Sequence, residues 1–427
     1  MSSTKDRGPY VRLTPNGSPS AATSGARSTS PNLARWLIVV LLTLLPLPMV
    51  SVRIAVIGLG LLFVIFSSVS AHYSVGQFVL PTYVTPLLAF SVMSIFWSVS
   101  SRDSVVAVGE LIALFLIACY CASRMTLAMV HSSVALGLRF FLLANLCIVL
   151  LERLGYSLLP VASQTMASPP SGITANPNLL AFGSVISVIS IGTIPSPTLK
   201  LKLYKTIWLS LGIIFVITSK SDGGLIYLIG ALALSVLLRI YYTRGAFAPL
   251  AFALSITPLL LLSLDPVQRF VLGLLGVTQN ETLSGRTVVW EVSTEALSMA
   301  PFTGYGFGSL VDPAYAPTSA MATVWHNFNF SSFSAHNGFL DIGLQLGFPG
   351  AILAALVVFS GLARFMRKPG SPSVLWGSLA LLTLAIYNLT EARIMSPTQA
   401  WFFLILVVSS GANLVQQNGR ETGACGD

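Results

Sequence analysis

Residues 373–390 read SVLWGSLALLTLAIYNLT, a run of eighteen positions without a charged side chain. An α-helix of this length and composition can cross most of a bilayer core, which is roughly 30 Å thick. Similar apolar blocks recur along the chain, and 54% of all residues are hydrophobic while 9% are charged. Soluble domains carry about 25% charged residues. The composition therefore excludes a water-soluble fold and predicts an all-α polytopic membrane protein.

Apolar blocks separated by helix breakers predict about twelve transmembrane helices, with eleven and thirteen as the neighbouring counts. Pro46 and Pro48 separate the first two blocks, and the stretch from Arg124 to Arg139 is compatible with either an interfacial segment or part of a span. The predicted spans are 34–50, 53–70, 80–99, 104–122, 139–152, 178–195, 203–219, 223–239, 246–264, 338–363, 373–390 and 398–415.

These spans divide the chain into five parts. Residues 1–33 are rich in Ser, Pro, Gly and Thr, a composition typical of a disordered tail. Nine transmembrane helices follow in 34–264, then one long loop in 265–337, three more helices in 338–415 and a second tail in 416–427. The long loop is the main candidate for a functional segment, because long loops in compact proteins are usually functional or disordered.

The distribution of Lys and Arg predicts the orientation. With the amino terminus in the cytoplasm, sixteen of the 23 basic residues lie on the cytoplasmic side, as the positive-inside rule requires. Both termini are then cytoplasmic, and the long loop is periplasmic. Seven basic residues remain outside: Arg53, Arg102, Arg153, Lys220, Arg269, Arg286 and Arg393.

Charge and cysteine usage narrow the classes of function. The net charge is +9, but the basic residues are dispersed among short loops without interleaved aromatic residues, so no nucleic-acid partner is expected. Cys119, Cys121 and Cys147 fall inside apolar blocks and Cys425 in the tail, a spacing that predicts neither a disulfide framework nor a metal site.

The long loop carries many aromatic residues and is predicted to be ordered. Within it, residues 285–299 place Val289, Val292, Ala296 and Met299 on one stripe at helical spacing, which predicts an amphipathic helix on the membrane surface. A glycine-rich run follows at Gly304-Tyr305-Gly306-Phe307-Gly308. The run favours a structural turn, and the alternative is a loop that binds phosphate through backbone amides.

Two titratable positions stand out at the membrane boundary. His336 lies where the loop meets the tenth span, and a neutral imidazole there can act as a base or simply cap the helix. His326 is a second, less favoured candidate. Lys220 and Asp222 interrupt an apolar run at the end of the seventh span, where charges are costly unless they are used. A salt bridge of Lys220 with Asp222 or Glu391 is the structural alternative.

Several short motifs occur together in and around the long loop and further upstream. They are Thr282-Leu283-Ser284-Gly285-Arg286-Thr287, Trp290, Pro301-Phe302-x-Gly304-Tyr305-Gly306-Phe307-Gly308, His336-Asn337-Gly338-Phe339-Leu340 and Gly172-Ile173-x-x-Asn176-Pro177-Asn178. Together they resemble the O-antigen ligase and Wzy-type polysaccharide polymerase superfamily, especially its exopolysaccharide-polymerase branch. Lys220 and Asn388-x-x-Glu391 resemble that branch, whereas ligases commonly carry arginine where this chain has Lys220.

The resemblance implies a GT-C-like architecture and a metal-independent glycosyltransferase without cofactor. Its substrates would be glycans linked to undecaprenyl diphosphate, polymerised at the outer face of a bacterial inner membrane, with membrane lipids, a chain-length regulator and a flippase as further partners. His336, Arg286 and Lys220 would be catalytic. Substrate-binding residues would be Arg286, Lys220, Asn176, Trp290, Tyr305, Asn337 and Glu391.

Two other functions compete with polymerisation. Transfer of a finished glycan to lipid A core or protein would use the same donor and the same catalytic residues. A membrane transporter would share the predicted layout of twelve spans. The sequence disfavours the transporter, because it shows no internal repeat and no string of ionisable residues at mid-membrane.

Overall fold

The computed structural model describes residues 31–70, 79–156, 169–174, 176–244, 282–327, 332–367, 370–389, 391–392, 394–396 and 398–423. In these ranges the regular structure is helical throughout. The α-helices are α1 (Pro31–Leu44), α2 (Val50–Ser70), α3 (Thr85–Met93), α4 (Ser101–Arg124), α5 (Leu127–Arg153), α6 (Pro177–Gly192), α7 (Leu199–Thr218), α8 (Asp222–Arg244), α9 (Thr282–Met299), α10 (Ser319–Asn327), α11 (Gly338–Met366), α12 (Pro372–Tyr387) and α13 (Gln399–Gly423).

Six of the described helices are long and apolar enough to cross a membrane: α2, α4, α5, α7, α8 and α11. Another five predicted spans correspond to shorter apolar stretches in α1, α3, α6, α12 and the first part of α13. The span predicted at 246–264 lies outside the described residues. The structure therefore confirms a multi-pass membrane protein, while the count of twelve and the GT-C-like architecture stay predictions.

Helix boundaries follow from local chemistry. Pro46 and Pro48 fall between α1 and α2, so the predicted break is confirmed. The α5 helix begins at Leu127, well before the predicted start at 139, and the hydroxyl of Thr126 caps it by accepting from the amide of Met129. Residues of the ambiguous segment are thus mostly part of a candidate span.

The apolar helices pack into one bundle with a large shared core. Close pairs are α1 with α5, α4 with α13, and α6 with α7. A charged pair lies inside this packing, because Arg53 of α2 contacts Glu110 of α4 with 3.2 Å between Nη2 and Oε2. This ion pair gives a structural reason for the basic residue at position 53.

The predicted amphipathic helix is confirmed as α9, while its place on the membrane surface stays a prediction, and its apolar stripe builds a second, smaller core. Val289, Val292 and Ala296 are buried as predicted, whereas Met299 remains 61% exposed and Leu297 takes its place. This face packs against residues from α10, α11 and the connecting segments. The second core includes Leu310, Met321, Val324, Trp325, Phe333, Ala335 and Leu344.

The glycine-rich run after α9 is a structural turn that fits against the middle of α11. Gly304, Gly306 and Gly308 all have positive φ. The amides of residues 304 to 308 donate to protein acceptors, among them the carbonyls of Leu344 and Gln345. With these donors already used, the run does not offer the free amide cradle that a phosphate requires.

On the other side of this contact, α11 is kinked. Gly347 has φ of 67°, Pro349 follows two residues later, and the carbonyl of Pro301 accepts from the amide of Phe348 at 2.7 Å. A Cβ at position 347 would lie 2.5 Å from the carbonyl carbon of Phe302. The kink therefore positions the segment after α9 and depends on glycine.

We expect Gly347→Ala to lower the free energy of unfolding in detergent by about 1–3 kcal/mol, because alanine adds both backbone strain and a steric clash. Thermal unfolding of the purified protein measures the change. Gly109→Ala is the matched control, since a Cβ there meets nothing within 4 Å. Equal stability of the two variants would contradict the proposed kink.

Candidate functional site

Three residues from distant parts of the sequence meet at one end of the helix bundle. Arg286 Nη2 lies 3.0 Å from Glu391 Oε1, and His336 Nδ1 lies 3.7 Å from Glu391 Oε2. Asn178 donates from Nδ2 to Glu391 Oε1 at 3.3 Å. A guanidinium, an imidazole and an amide thus surround one carboxylate, and we call these four residues the carboxylate cluster.

Burial in the carboxylate cluster is graded. The side chain of Glu391 keeps 5% of its accessible surface, whereas Arg286 keeps 15% and His336 keeps 26%. A buried carboxylate is costly unless cations and hydrogen-bond donors satisfy it. Glu391 therefore serves as the buried anchor, and the two more exposed side chains present the edge that a ligand can reach.

His336 sits in an unusual backbone conformation between α10 and α11. Its φ is 47°, a value that non-glycine residues seldom adopt and that is often kept at functional sites. The preceding residue is held on two sides, because Trp290 Nε1 donates to the carbonyl of Ala335 at 2.9 Å and Asp341 accepts from its amide at 3.0 Å. The imidazole is thus positioned by contacts to its neighbours.

The segment that carries Glu391 follows α12 and is tied to α6 and α11. Tyr387 donates from its hydroxyl to the carbonyl of Asn178 at 3.0 Å. The carbonyl of Asn388 accepts from the amide of Gly338 at 2.6 Å, and its side-chain oxygen accepts from the amide of Ile394 at 3.0 Å. These bonds fix Glu391 relative to the first turn of α11, next to His336.

Lys220 lies at the same end of the bundle but outside the carboxylate cluster. It follows α7 and is exposed, with a φ of 51°. Together with His336 it is one of two non-glycine residues with positive φ in the described part of the chain. Among the described residues Lys220 forms no ion pair, and Glu391 is paired with Arg286 instead. The side chain of Asp222 is outside the described set.

Four other residues predicted to bind substrate have structural contacts of their own. Asn176 and Asn337 cap α6 and α11 by accepting from backbone amides in the first turns. Trp290 supports Ala335, as described above. Tyr305 donates its hydroxyl to the carbonyl of Ala296 at 2.7 Å, and burial raises the pKa of this hydroxyl. These contacts explain the four residues without a ligand, and their role in substrate binding stays a prediction.

A cavity of about 240 Å³ adjoins the carboxylate cluster. Its wall includes Ser334, whose hydroxyl accepts from the amide of His336 at 3.3 Å, Gly338, which follows Asn337, and Ala392, which follows Glu391. Two polar lining residues are joined, because Asp341 accepts from Gln345 Nε2 at 2.8 Å. Ser332, Ser334 and Ser396 add hydroxyl groups to a lining that otherwise contains many apolar side chains, among them Phe307, Leu310 and Met395.

Sequence reasoning missed the roles of Asn178, Tyr387 and Asn388. The signal was partly present, because Asn178 ends the quoted Asn-Pro-Asn motif and Asn388 begins Asn388-x-x-Glu391. The second histidine candidate, His326, is exposed on α10 and is not part of the carboxylate cluster. In the described ranges no three His, Cys, Asp or Glu residues are grouped as metal ligands.

Comparison with known proteins shows similarity to one family and one curated protein. Residues 207–355 match the family model described as O-Antigen ligase. A stretch of 161 residues is 28% identical to "Exopolysaccharide production protein ExoQ" from Rhizobium meliloti (strain 1021). The match covers 36% of this chain and 35% of that protein, so it spans about a third of the curated relative. Both findings confirm the resemblance that the motifs predicted.

We expect Arg286 and Glu391 to be energetically coupled, because removing either leaves the other charge with too few partners. A double-mutant cycle with Arg286→Ala and Glu391→Ala, followed by denaturant unfolding in detergent, should give a coupling free energy of about 0.5–3 kcal/mol. The matched cycle uses Arg286→Ala with Glu295→Ala, whose carboxylate is exposed on the same helix. Additive effects in the first cycle would show that the ion pair is not formed.

Proposed function

We propose that this chain, which carries the O-antigen ligase family segment at residues 207–355, polymerises lipid-linked glycan repeat units into a longer polysaccharide. The donor is a glycan on undecaprenyl diphosphate, and the acceptor is a second lipid-linked repeat unit. The reaction takes place at the outer face of the bacterial inner membrane, with the carboxylate cluster as the catalytic centre. The chain-length regulator and the flippase of the same pathway are its proposed partners.

One observation carries the proposal: a guanidinium and an imidazole are held by one buried carboxylate at the ends of membrane helices. Phosphate recognition and proton abstraction are the two tasks that glycosyl transfer from a diphosphate requires. Arginine suits the first because its planar fork matches phosphate oxygens. Histidine suits the second because neutral imidazole accepts protons near neutral pH.

Arg286 stabilises the leaving group. When the bond between the sugar's anomeric carbon and the diphosphate oxygen breaks, negative charge develops on that oxygen. Nη2 of Arg286 already contacts Glu391, and this bond fixes the orientation of the guanidinium. The partly exposed remainder of the fork then binds the diphosphate as its charge increases.

His336 accepts the proton of the attacking acceptor hydroxyl. Glu391 faces Nδ1 of His336, which favours the tautomer with the proton on Nδ1 and leaves Nε2 as the base. The 3.7 Å separation exceeds a hydrogen bond, and such contacts often tighten when substrate binds. The acceptor oxygen forms the new glycosidic bond, its proton goes to Nε2, and the lipid diphosphate leaves with the bonding electrons.

Lys220 contributes a second positive charge for the diphosphate. Its position at the α7–α8 connection is linked to the carboxylate cluster through α8, because the rings of Tyr227 and Tyr387 lie 4.2 Å apart. Charge that is exposed at a helix end and lacks a described ion-pair partner is available to an anionic ligand. We assign Lys220 a supporting role, since no direct contact joins it to Arg286 or Glu391.

Polymerisation is preferred over ligation on two grounds. Lys220 and the Asn388-x-x-Glu391 motif resemble the polymerase branch, and the matched relative is named an exopolysaccharide production protein. Incubation of purified protein with a lipid-diphosphate oligosaccharide separates the two reactions. Polymerase activity gives a ladder of longer lipid-linked chains, whereas a ligase leaves the donor unextended until lipid A core or an acceptor protein is added.

We expect His336→Ala to reduce the rate of chain extension at least about 10²-fold, because loss of a general base typically costs 10²–10⁴-fold. Electrophoresis of the lipid-linked products measures the rate. His326→Ala is the matched control, because it removes an exposed histidine from the same loop. Unchanged extension by His336→Ala with normal membrane expression would refute the assignment.

Turnover is also expected to be independent of divalent metal. The reaction assigned above uses protein cations for charge stabilisation, so EDTA should leave the extension rate unchanged. The assay compares metal-chelated enzyme with enzyme supplied with Mg²⁺ or Mn²⁺. Activity that is lost on chelation and regained with either cation would instead require a metal-assisted mechanism.

A further inference from the structure

A second and larger cavity of about 710 Å³ lies between the ends of four helices: α6, α7, α8 and α12. Its wall combines basic side chains with apolar and hydroxyl groups. The lining residues are Gly192, Thr193, Ile194, Pro195, Ser196, Lys202, Lys205, Thr206, Arg239, Tyr242, Thr243, Gly370, Ser371, Pro372 and Leu375. We call it the basic cavity.

The basic cavity is at the opposite end of the bundle from the carboxylate cluster. The α6 helix begins beside Asn178 and ends at Gly192, while α12 begins at Pro372 and ends at Tyr387. Helices of this length separate the two ends by roughly 24 Å at 1.5 Å per residue. The basic cavity is therefore a distinct site and has no part in the glycosyl transfer proposed above.

Positive charge in the basic cavity is not balanced by acidic residues. Lys202, Lys205 and Arg239 line it, and the sequence has no Asp or Glu in 153–221, 223–264 or 342–390. The described ion pairs do not include these three cations. The first turns of α7 and α12 and the last turns of α6 and α8 all line the cavity, so the helix dipoles oppose one another and the positive charge comes from the three side chains.

The wall of the basic cavity is held in place by a buried polar cluster. His131 of α5 contacts the carbonyl of Ser190 at 2.9 Å, Thr193 Oγ1 at 3.0 Å and Ser373 Oγ at 3.3 Å. Lys205 donates from Nζ to the carbonyls of Gly192 and Ile194, both at 2.9 Å. The ends of α5, α6, α7 and α12 are thus joined around the cavity, which makes it a preformed feature.

We infer that the basic cavity binds the phosphate head group of an anionic membrane phospholipid. Cations provide the phosphate contact, and apolar groups such as Ile194 and Leu375 suit the glycerol and the start of the acyl chains. We favour a phospholipid over a soluble phosphate as the ligand, because α7 is the least buried of the candidate spans and its Leu201, Leu203 and Ile207 are exposed. The cavity therefore opens beside a face that contacts lipid.

The test is lipid retention by the delipidated full-length protein, measured by native mass spectrometry. We expect phosphatidylglycerol to bind and zwitterionic phosphatidylcholine to bind weakly. The double variant Lys202→Gln with Arg239→Gln should weaken phosphatidylglycerol retention roughly 30-fold, about fivefold for each charge removed. The control variant, Lys200→Gln with Arg367→Gln, removes the same charge from exposed positions that do not line the cavity. It should retain phosphatidylglycerol.

A second variant separates the cavity from general surface charge. Thr206→Trp keeps all three cations but fills the cavity, and it should also weaken phosphatidylglycerol retention. Equal losses in the cavity and control charge variants, or full retention by Thr206→Trp, would overturn the inference. Binding of inorganic phosphate without phosphatidylglycerol retention would assign the cavity to a soluble phosphate and overturn the lipid assignment.

Discussion

The buried carboxylate of Glu391 is the group on which the arrangement of the carboxylate cluster depends. It accepts from Arg286 and Asn178, which lie 105 and 213 residues away along the chain, and it also faces His336. Three separate elements therefore meet at one anion. A carboxylate that is 5% exposed requires such partners. The same requirement brings the amphipathic helix α9 against the helix ends and gives the imidazole a fixed neighbour.

The rest of the bundle supports this arrangement through close backbone contacts. The glycine-rich turn fits against the kink of α11, and the segment before His336 is held by Trp290 and Asp341. The two ends of the bundle then differ in chemistry. One end combines a buried anion with a partly exposed arginine and histidine. The other end has a basic cavity whose charge is not balanced by acidic residues, which is consistent with a protein whose two faces meet different ligands.

Hydropathy was sufficient to predict the helical class and most helix positions, because apolar runs report directly on burial in lipid. It left residues 124–139 open between an interfacial segment and a span, whereas the structure continues α5 through most of them: His131 bonds to the carbonyl of Ser190 on α6, and Ser133 donates to the carbonyl of Met129 within α5. It also placed Met299 in the apolar stripe, where Leu297 is buried instead. Arg286, His336 and Glu391 were found from motifs. Asn178 also ends a quoted motif, but its contacts with Glu391 and Tyr387 join residues 213 and 209 positions apart, which no local pattern encodes.

The most direct test of the central claim is photo-crosslinking of a lipid-diphosphate glycan whose photoreactive group is next to the diphosphate. Digestion and mass spectrometry of the purified, crosslinked protein locate the label. The account predicts labelling within residues 282–299, 332–341 and 387–396, which surround the carboxylate cluster. Labelling concentrated in 192–206 and 370–375, at the opposite end of the bundle, would contradict it.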